Sequence, residues 1–275
     1  MQWNTISDGN TDDQADQDIV LKIRDLKVDF VLPNRVVHAV DGVNLEVRGG
    51  RITALVGESG CGKTVTALSV AKLLDPRANI LCGGIFVEGK DVLDIPLRQL
   101  HRYRGVKVGM IFQDPVDSLN PLMTVGYLVS EALMAHEKLS KKEARRQAEL
   151  LLYKVGLPDV KGIMKKHSFQ LSGGMCQRVM IAVAMAMRPP LLIADEPTTA
   201  LDVTVQAQIL DEIYVLSREF GTGVLFITHD LGVVAEIADD VYVMKDGKIV
   251  ENGNVMEIFR RPRHSYTKAL LQAIL

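Results

Sequence analysis

The sequence predicts an α/β fold: a mainly parallel sheet, preceded by an antiparallel β stretch and interrupted by a helical insertion. Three observations predict it. Apolar residues alternate over 19–31 and again over 36–47, the period of strands with one buried face. In the second half, short apolar runs alternate with helical patterns across glycine-bearing joints, as in strands linked by helical crossovers. Between these halves, about 96–170 reads as helix-rich.

Taken in order, residues 1–17 are polar and acidic and predict a disordered leader. Residues 51–56 form a short apolar run ending in glycine, a buried strand, and 63–74 have helical character. A Glu-Gly-Lys-Asp turn lies within 86–92. Ser140 and Glu143 match a capping box ahead of an amphipathic run to Tyr153. A helix over about 173–187 is stopped by Arg188-Pro189-Pro190. After strand 191–194, Val205, Ile209, Ile213, Leu216 and Phe220 recur every three or four residues, a single helical face that Gly221 is placed to cap. Strands 224–227 and 241–244 follow, and Asp246-Gly247 turns a hairpin into 248–251. There is no internal repeat.

Bulk properties exclude several classes. With net charge −2 and 5% aromatic residues over 275, neither bulk electrostatics nor a base-stacking surface points to nucleic acid, and none is expected as a partner. The longest apolar run, 179–187, has nine residues, against roughly 20 for a membrane span. Cys61, Cys82 and Cys176 are scattered, which predicts a reduced, cytoplasmic compartment.

Gly57-Glu58-Ser59-Gly60-Cys61-Gly62-Lys63-Thr64 fits G-x-x-x-x-G-K-[ST] between a strand and a helix. Its glycines let successive N–H groups curl around phosphate oxygens at a helix N-terminus. Lys63 would reach the β- and γ-phosphates, and Thr64 offers a hydroxyl to Mg²⁺. The run 191–194 ends in Asp195 and Glu196. Asp195 suits the Mg²⁺ shell, and Glu196 could polarise an attacking water as general base. Gln113 follows another apolar strand and could sense metal or water; a solvated strand-end glutamine is the plain alternative. His229 ends strand 224–227 plus Thr228, where open α/β sheets bind ligands, though a lone histidine is often structural.

The stretch Leu171-Ser172-Gly173-Gly174-Met175-Cys176-Gln177-Arg178 resembles the signature of ABC ATPases, about 20 residues before the acidic strand. Pro197 to Asp202 resembles their D-loop, Thr228-His229-Asp230 their switch histidine, and Gln113 falls on their Q-loop. The resemblance covers nearly all of 19–275. It implies a P-loop NTPase core with a mainly parallel sheet, an antiparallel β subdomain and a helical subdomain over about 115–188, together spanning 18–258. It also implies two domains closing head to tail over two ATP molecules. Each ATP would meet the phosphate loop of one subunit and Leu171, Ser172, Gly173, Gly174 and Gln177 of the other. Asp202 would act across the interface, and His229 would fix the γ-phosphate and the water. Phe30 would stack on adenine, unless it is simply a core phenylalanine. A helix N-cap role for Ser172 is compatible with contact to nucleotide. Cys176 stands where the family often has Arg or Gln; a missing polar contact and an oxidant-sensitive thiol beside the interface are the expected consequences.

Further details resemble the importer subfamily for oligopeptides, dipeptides and nickel: Phe112-Gln113-Asp114-Pro115, Leu119-Asn120-Pro121, and Arg261 to Leu271, where Ser265 replaces a usual proline. The resemblance implies an ATPase driving two membrane-spanning permease subunits from the cytoplasmic face of the inner membrane. Its other partners would be a second ATPase subunit, homologous or identical, and indirectly a solute-binding protein. Peptide import is the first expectation and nickel or metal-chelate import the alternative; a soluble, non-transport ATPase is a distant one. Residues 259–275 resemble a short form of the subfamily's C-terminal segment, without its cysteine cluster, so no iron–sulfur cluster is expected.

Overall fold

Two sheets carry the molecule. The computed structural model describes residues 18–199 and 201–273, so the expected leader at 1–17 lies outside the described residues. The first sheet is antiparallel, ordered β2-β1-β4-β5, from β1 Ile19–Leu32, β2 Arg35–Arg48, β4 Ala78–Val87 and β5 Lys90–Asp91. The second is ordered β10-β9-β3-β8-β7-β6, from β3 Ile52–Val56, β6 Val108–Ile111, β7 Leu191–Asp195, β8 Gly223–Thr228, β9 Asp240–Lys245 and β10 Lys248–Asn254. All its pairings are parallel except β9 with β10.

The near-continuous apolar runs of β3, β7 and β8 follow from burial on both faces. Successive side chains on a strand point to opposite faces. Leu55, Ile193, Leu225 and Ile227 pack with Leu21, Ile23 and Leu45 of the antiparallel sheet. Leu192, Ala194, Val224 and Phe226 face the other way, into a core shared with Val125, Leu133, Leu152, Val179 and Ile181 from the inserted helices. Those helices are Pro115–Ser118, Val125–Met134, Lys141–Lys154, Val160–Ile163 and Gly173–Ala184.

Local signals are realised with two differences. The capping box forms both ways: Glu143 N–H donates to Ser140 Oγ (3.3 Å) and Ser140 N–H to Glu143 Oε2 (2.9 Å). Asp246 and Gly247, at φ +46° and +81°, make the hairpin turn. The helix expected over 63–74 is Lys63–Val70 instead. Lys72 takes φ +53°, and Leu73 N–H closes back on Leu68 O at 2.8 Å, a C-terminal capping turn that glycine usually supplies. Sequence reasoning read only the turn within 86–92; the strand ahead of it, β4 Ala78–Val87, was not anticipated, because its first half is largely exposed and lacks apolar alternation.

Candidate active site

The strand order brings four sequence-distant segments to one edge. β3, β8, β7 and β6 are parallel neighbours, so their C-terminal ends deliver the loop after Val56, His229, Asp195-Glu196 and Gln113 side by side.

Close packing shapes the loop at 57–62. A Cβ on Gly57 would lie 2.1 Å from Met244 O, and one on Gly62 2.3 Å from Ala39 O. Only glycine fits at either position. Lys63, 5% exposed, turns its ammonium back over the loop, donating to Gly57 O (2.8 Å) and Glu58 O (2.9 Å). Cys61 Sγ is 3.8 Å from the same Nζ; burial pushes this thiol's pKa up, and Lys63 opposes the shift. Ser59 and Gly60 are exposed at the tip.

Thr64 Oγ1 donates to Asp195 Oδ1 at 3.3 Å. Asp195 is buried, which raises its carboxyl pKa, and the neighbouring Glu196 charge adds to the rise while Thr64 and Lys63 oppose it. A hydroxyl beside a buried, reluctantly ionised carboxylate is an all-oxygen pair that a hard divalent cation would suit. Mg²⁺ commonly takes one or two protein ligands and completes its shell from phosphates and water.

Glu196 is the hub. Its Oε2 accepts from Gln113 Nε2 and from Thr199 Oγ1, both at 3.1 Å, and its Oε1 lies 3.1 Å from His229 Nδ1. Its backbone sits at φ +47° and donates N–H to Ile227 O at 2.9 Å, so β8 holds a conformation that a β-strand residue does not choose unaided. The side chain is 17% exposed, against 61% for His229. Sequence reasoning missed Thr199 as a partner of Glu196, although it lies in the stretch that resembles the D-loop.

The signature residues occupy another surface. Ser172 caps helix Gly173–Ala184, accepting from Met175 N–H at 3.4 Å. Among the described residues no hydrogen bond joins Leu171–Gly174 to the phosphate loop or to Glu196. A Cβ on Gly173 would be 3.9 Å from its nearest neighbour, whereas one on Gly174 would meet Val205 Cγ1 at 2.6 Å. Gly173 is therefore open, and Gly174 is small because helix Val203–Phe220 presses on it. Asp202 caps that second helix, accepting from Val205 N–H at 3.0 Å.

Two sequence expectations need correction. Gln177 is 1% exposed, so it faces the interior and not the surface that bears Ser172 and Gly173. Cys176 is fully buried and its thiol donates to Ser168 O at 3.4 Å; an oxidant at the interface cannot reach it, and the sulfur has a polar contact of its own. Phe30 is half-buried on β1, paired with Val37, two residues before the Ala39 carbonyl that abuts Gly62. An ion pair that sequence reasoning did not anticipate lies next to Gln177: Arg178 Nη1 to Glu212 Oε1 at 2.6 Å, with Arg178 also donating to Val155 O and Gln208 Oε1.

A family model described as "ABC transporter" matches residues 40–199. The chain is 47% identical over 258 residues to a probable peptide ABC transporter ATP-binding protein, y4tR, of Sinorhizobium fredii (strain NBRC 101917 / NGR234), covering 94% of this chain and 77% of that protein. It is 47% identical over 268 residues to the glutathione import ATP-binding protein GsiA of Salmonella choleraesuis (strain SC-B67), covering 95% of this chain but 43% of GsiA. The chain thus spans less than half of that longer relative. Among solved structures, a dimeric post-hydrolysis ATP-binding cassette, MJ0796, bound to ADP and Pi, matches at TM-score 0.77 and 27% identity, over 86% of this chain and 98% of that one.

Proposed function

This chain belongs to the ABC transporter family, as an ATP-binding subunit, and from that premise we propose that it hydrolyses ATP to drive import of short peptides. It would work at the cytoplasmic face of the inner membrane, with a second ATPase subunit, two membrane-spanning permease subunits and, indirectly, a solute-binding protein. The relatives named for peptide and glutathione transport support the substrate class, since glutathione is itself a small peptide.

The observation that carries the catalytic reading is the set of three partners converging on Glu196. A carboxylate serving as general base needs a fixed direction and a route for the proton it takes. Gln113 and Thr199 fix one oxygen, leaving the other towards His229. In this reading the loop amides and Lys63 hold the β- and γ-phosphates, and Glu196 orients and deprotonates the attacking water. His229, far more exposed than Glu196, meets the γ-phosphate side. Phe30 would lie against adenine. Thr64, Asp195 and Gln113 would hold Mg²⁺, which when bound neutralises developing phosphate charge. Ser172, Gly173 and Gly174 of a second copy, presented at a helix N-terminus, would complete the phosphate site. Gly174 would contribute through its N–H, because its α-carbon already faces Val205. Asp202 would lie at the same interface.

Uptake in cells carrying Lys63→Met in place of wild type tests the proposal, with labelled dipeptides, glutathione and nickel. Loss of peptide uptake is expected. Loss of nickel uptake alone would replace the substrate class, and loss of neither, with the subunit present at the membrane, would overturn the importer reading.

A further inference from the structure

The phosphate loop is held from outside as well as from within. Glu58 N–H, near the start of the loop, donates to Tyr266 Oη at 3.0 Å, across 208 residues of sequence. Tyr266 belongs to helix Ser265–Gln272, is 8% exposed, and has Lys245 Nζ 5.0 Å from its ring centroid. A second outside contact holds the loop further on, where Gly247 N–H donates to Cys61 O at 3.0 Å.

The helix bearing Tyr266 is itself fastened. Both oxygens of Glu251 on β10 accept backbone donors from the turn before it: Arg263 N–H at 2.7 Å and His264 N–H at 3.0 Å. His264 Nδ1 then caps the helix by accepting from Tyr266 N–H at 3.2 Å. A rigid path therefore runs from β10 through the turn to the phenol and on to the loop. Burial, and the Glu58 carboxylate nearby, keep the phenol protonated.

We propose that Tyr266 is a positioning residue for the phosphate loop, and that residues 261–272 act as a strap setting the loop's readiness for nucleotide. The inference rests on the nucleotide-binding reading of Gly57–Thr64. A flexible loop must be ordered before its amides can hold phosphate, and each outside tether lowers that cost. Tyr266 does not touch phosphate: its bond is to the amide of Glu58, ahead of the amides at the helix N-terminus.

The test uses the full chain and Tyr266→Phe, which removes the acceptor and keeps the ring. Losing one neutral hydrogen bond should weaken binding of a fluorescent ATP analogue about fivefold. KM for ATP should rise in step while kcat holds. Hydrogen exchange in peptides covering 52–62 should speed up, and the melting temperature without nucleotide should stay near wild type. Glu251→Gln, remote from the loop, should move affinity in the same direction. Unchanged affinity in Tyr266→Phe, with or without a fall in melting temperature, would reduce Tyr266 to an ordinary packing residue and overturn the proposal. Absence of binding by wild type would overturn the nucleotide reading itself, a separate outcome.

Discussion

Replacing Glu196 with glutamine removes a charge and almost nothing else. The amide keeps one oxygen, which can still accept from Gln113 and Thr199, the pair now sharing Oε2 at 3.1 Å. Its NH₂ replaces Oε1 and can donate to His229 Nδ1 in the complementary tautomer. The hydrogen-bond count is kept, and the His229 contact is largely solvent-exposed, so folding stability should change by less than about 1 kcal/mol. ATP affinity should not fall, because a negative charge has left the neighbourhood of a polyanion. Turnover is different. An amide cannot take a proton from water, and general-base catalysis contributes roughly 10²–10⁴-fold. That corresponds to about 3–5 kcal/mol of transition-state stabilisation. Phosphate release at saturating ATP, a nucleotide titration and a melting curve measure the three quantities. The expected pattern is a rate loss of at least about a hundredfold with affinity and melting retained. A rate within tenfold of wild type would mean that Glu196 only organises its neighbours. A matching loss of affinity or stability would mean that the structural role dominates.

Two further outcomes follow from packing. Arg178 and Glu212 are 13% and 14% exposed, and burial holds the Glu212 carboxyl up to about 7, with Arg178 opposing the rise. A carboxyl whose folded pKa exceeds its unfolded value binds a proton that the unfolded chain releases, so stability falls as pH rises from the usual glutamate range through about 7. Arg178→Met strands that charge and should cost about 3–5 kcal/mol at pH ~8, but much less at pH ~5.5, where Glu212 is protonated. Urea unfolding at the two pH values checks it, and equal losses at both would refute the assignment. Gly174→Ala should cost about 1–3 kcal/mol through its 2.6 Å approach to Val205 Cγ1; Val205→Ala in the same chain should recover most of it, and strict additivity of the two losses would refute the contact.

What the sequence made legible divides along a physical line. The residues that would meet nucleotide or metal sit at ends of buried strands or in the loop beyond them. There a charge or glycine interrupts an apolar run and is conspicuous in one dimension. Gly57–Thr64, Asp195, Glu196 and His229 were readable for that reason, and the register of β3, β8 and β7 puts them together. Gln177 was misread because helical phase, not motif membership, decides which way a side chain faces: Ser172 starts the helix at the surface and Gln177 falls on its buried side. The end of helix Lys63–Val70 was invisible because a lysine, Lys72, takes the left-handed position where a rule based on glycine looks for Gly.

The supporting residues were illegible for a different reason. Thr199, Arg178 and Tyr266 lie in stretches that resemble the family, but each, like Glu212, acts through a partner set by tertiary structure. Tyr266 reaches Glu58 only because β9 and β10 turn back beside β3 and carry the final helix with them. A change in one of these residues would therefore disturb the site through a contact that the stretch containing it does not reveal. Two chains with identical phosphate loops can then differ in nucleotide affinity through residues 200 positions away, as the 208-residue separation of Glu58 and Tyr266 illustrates.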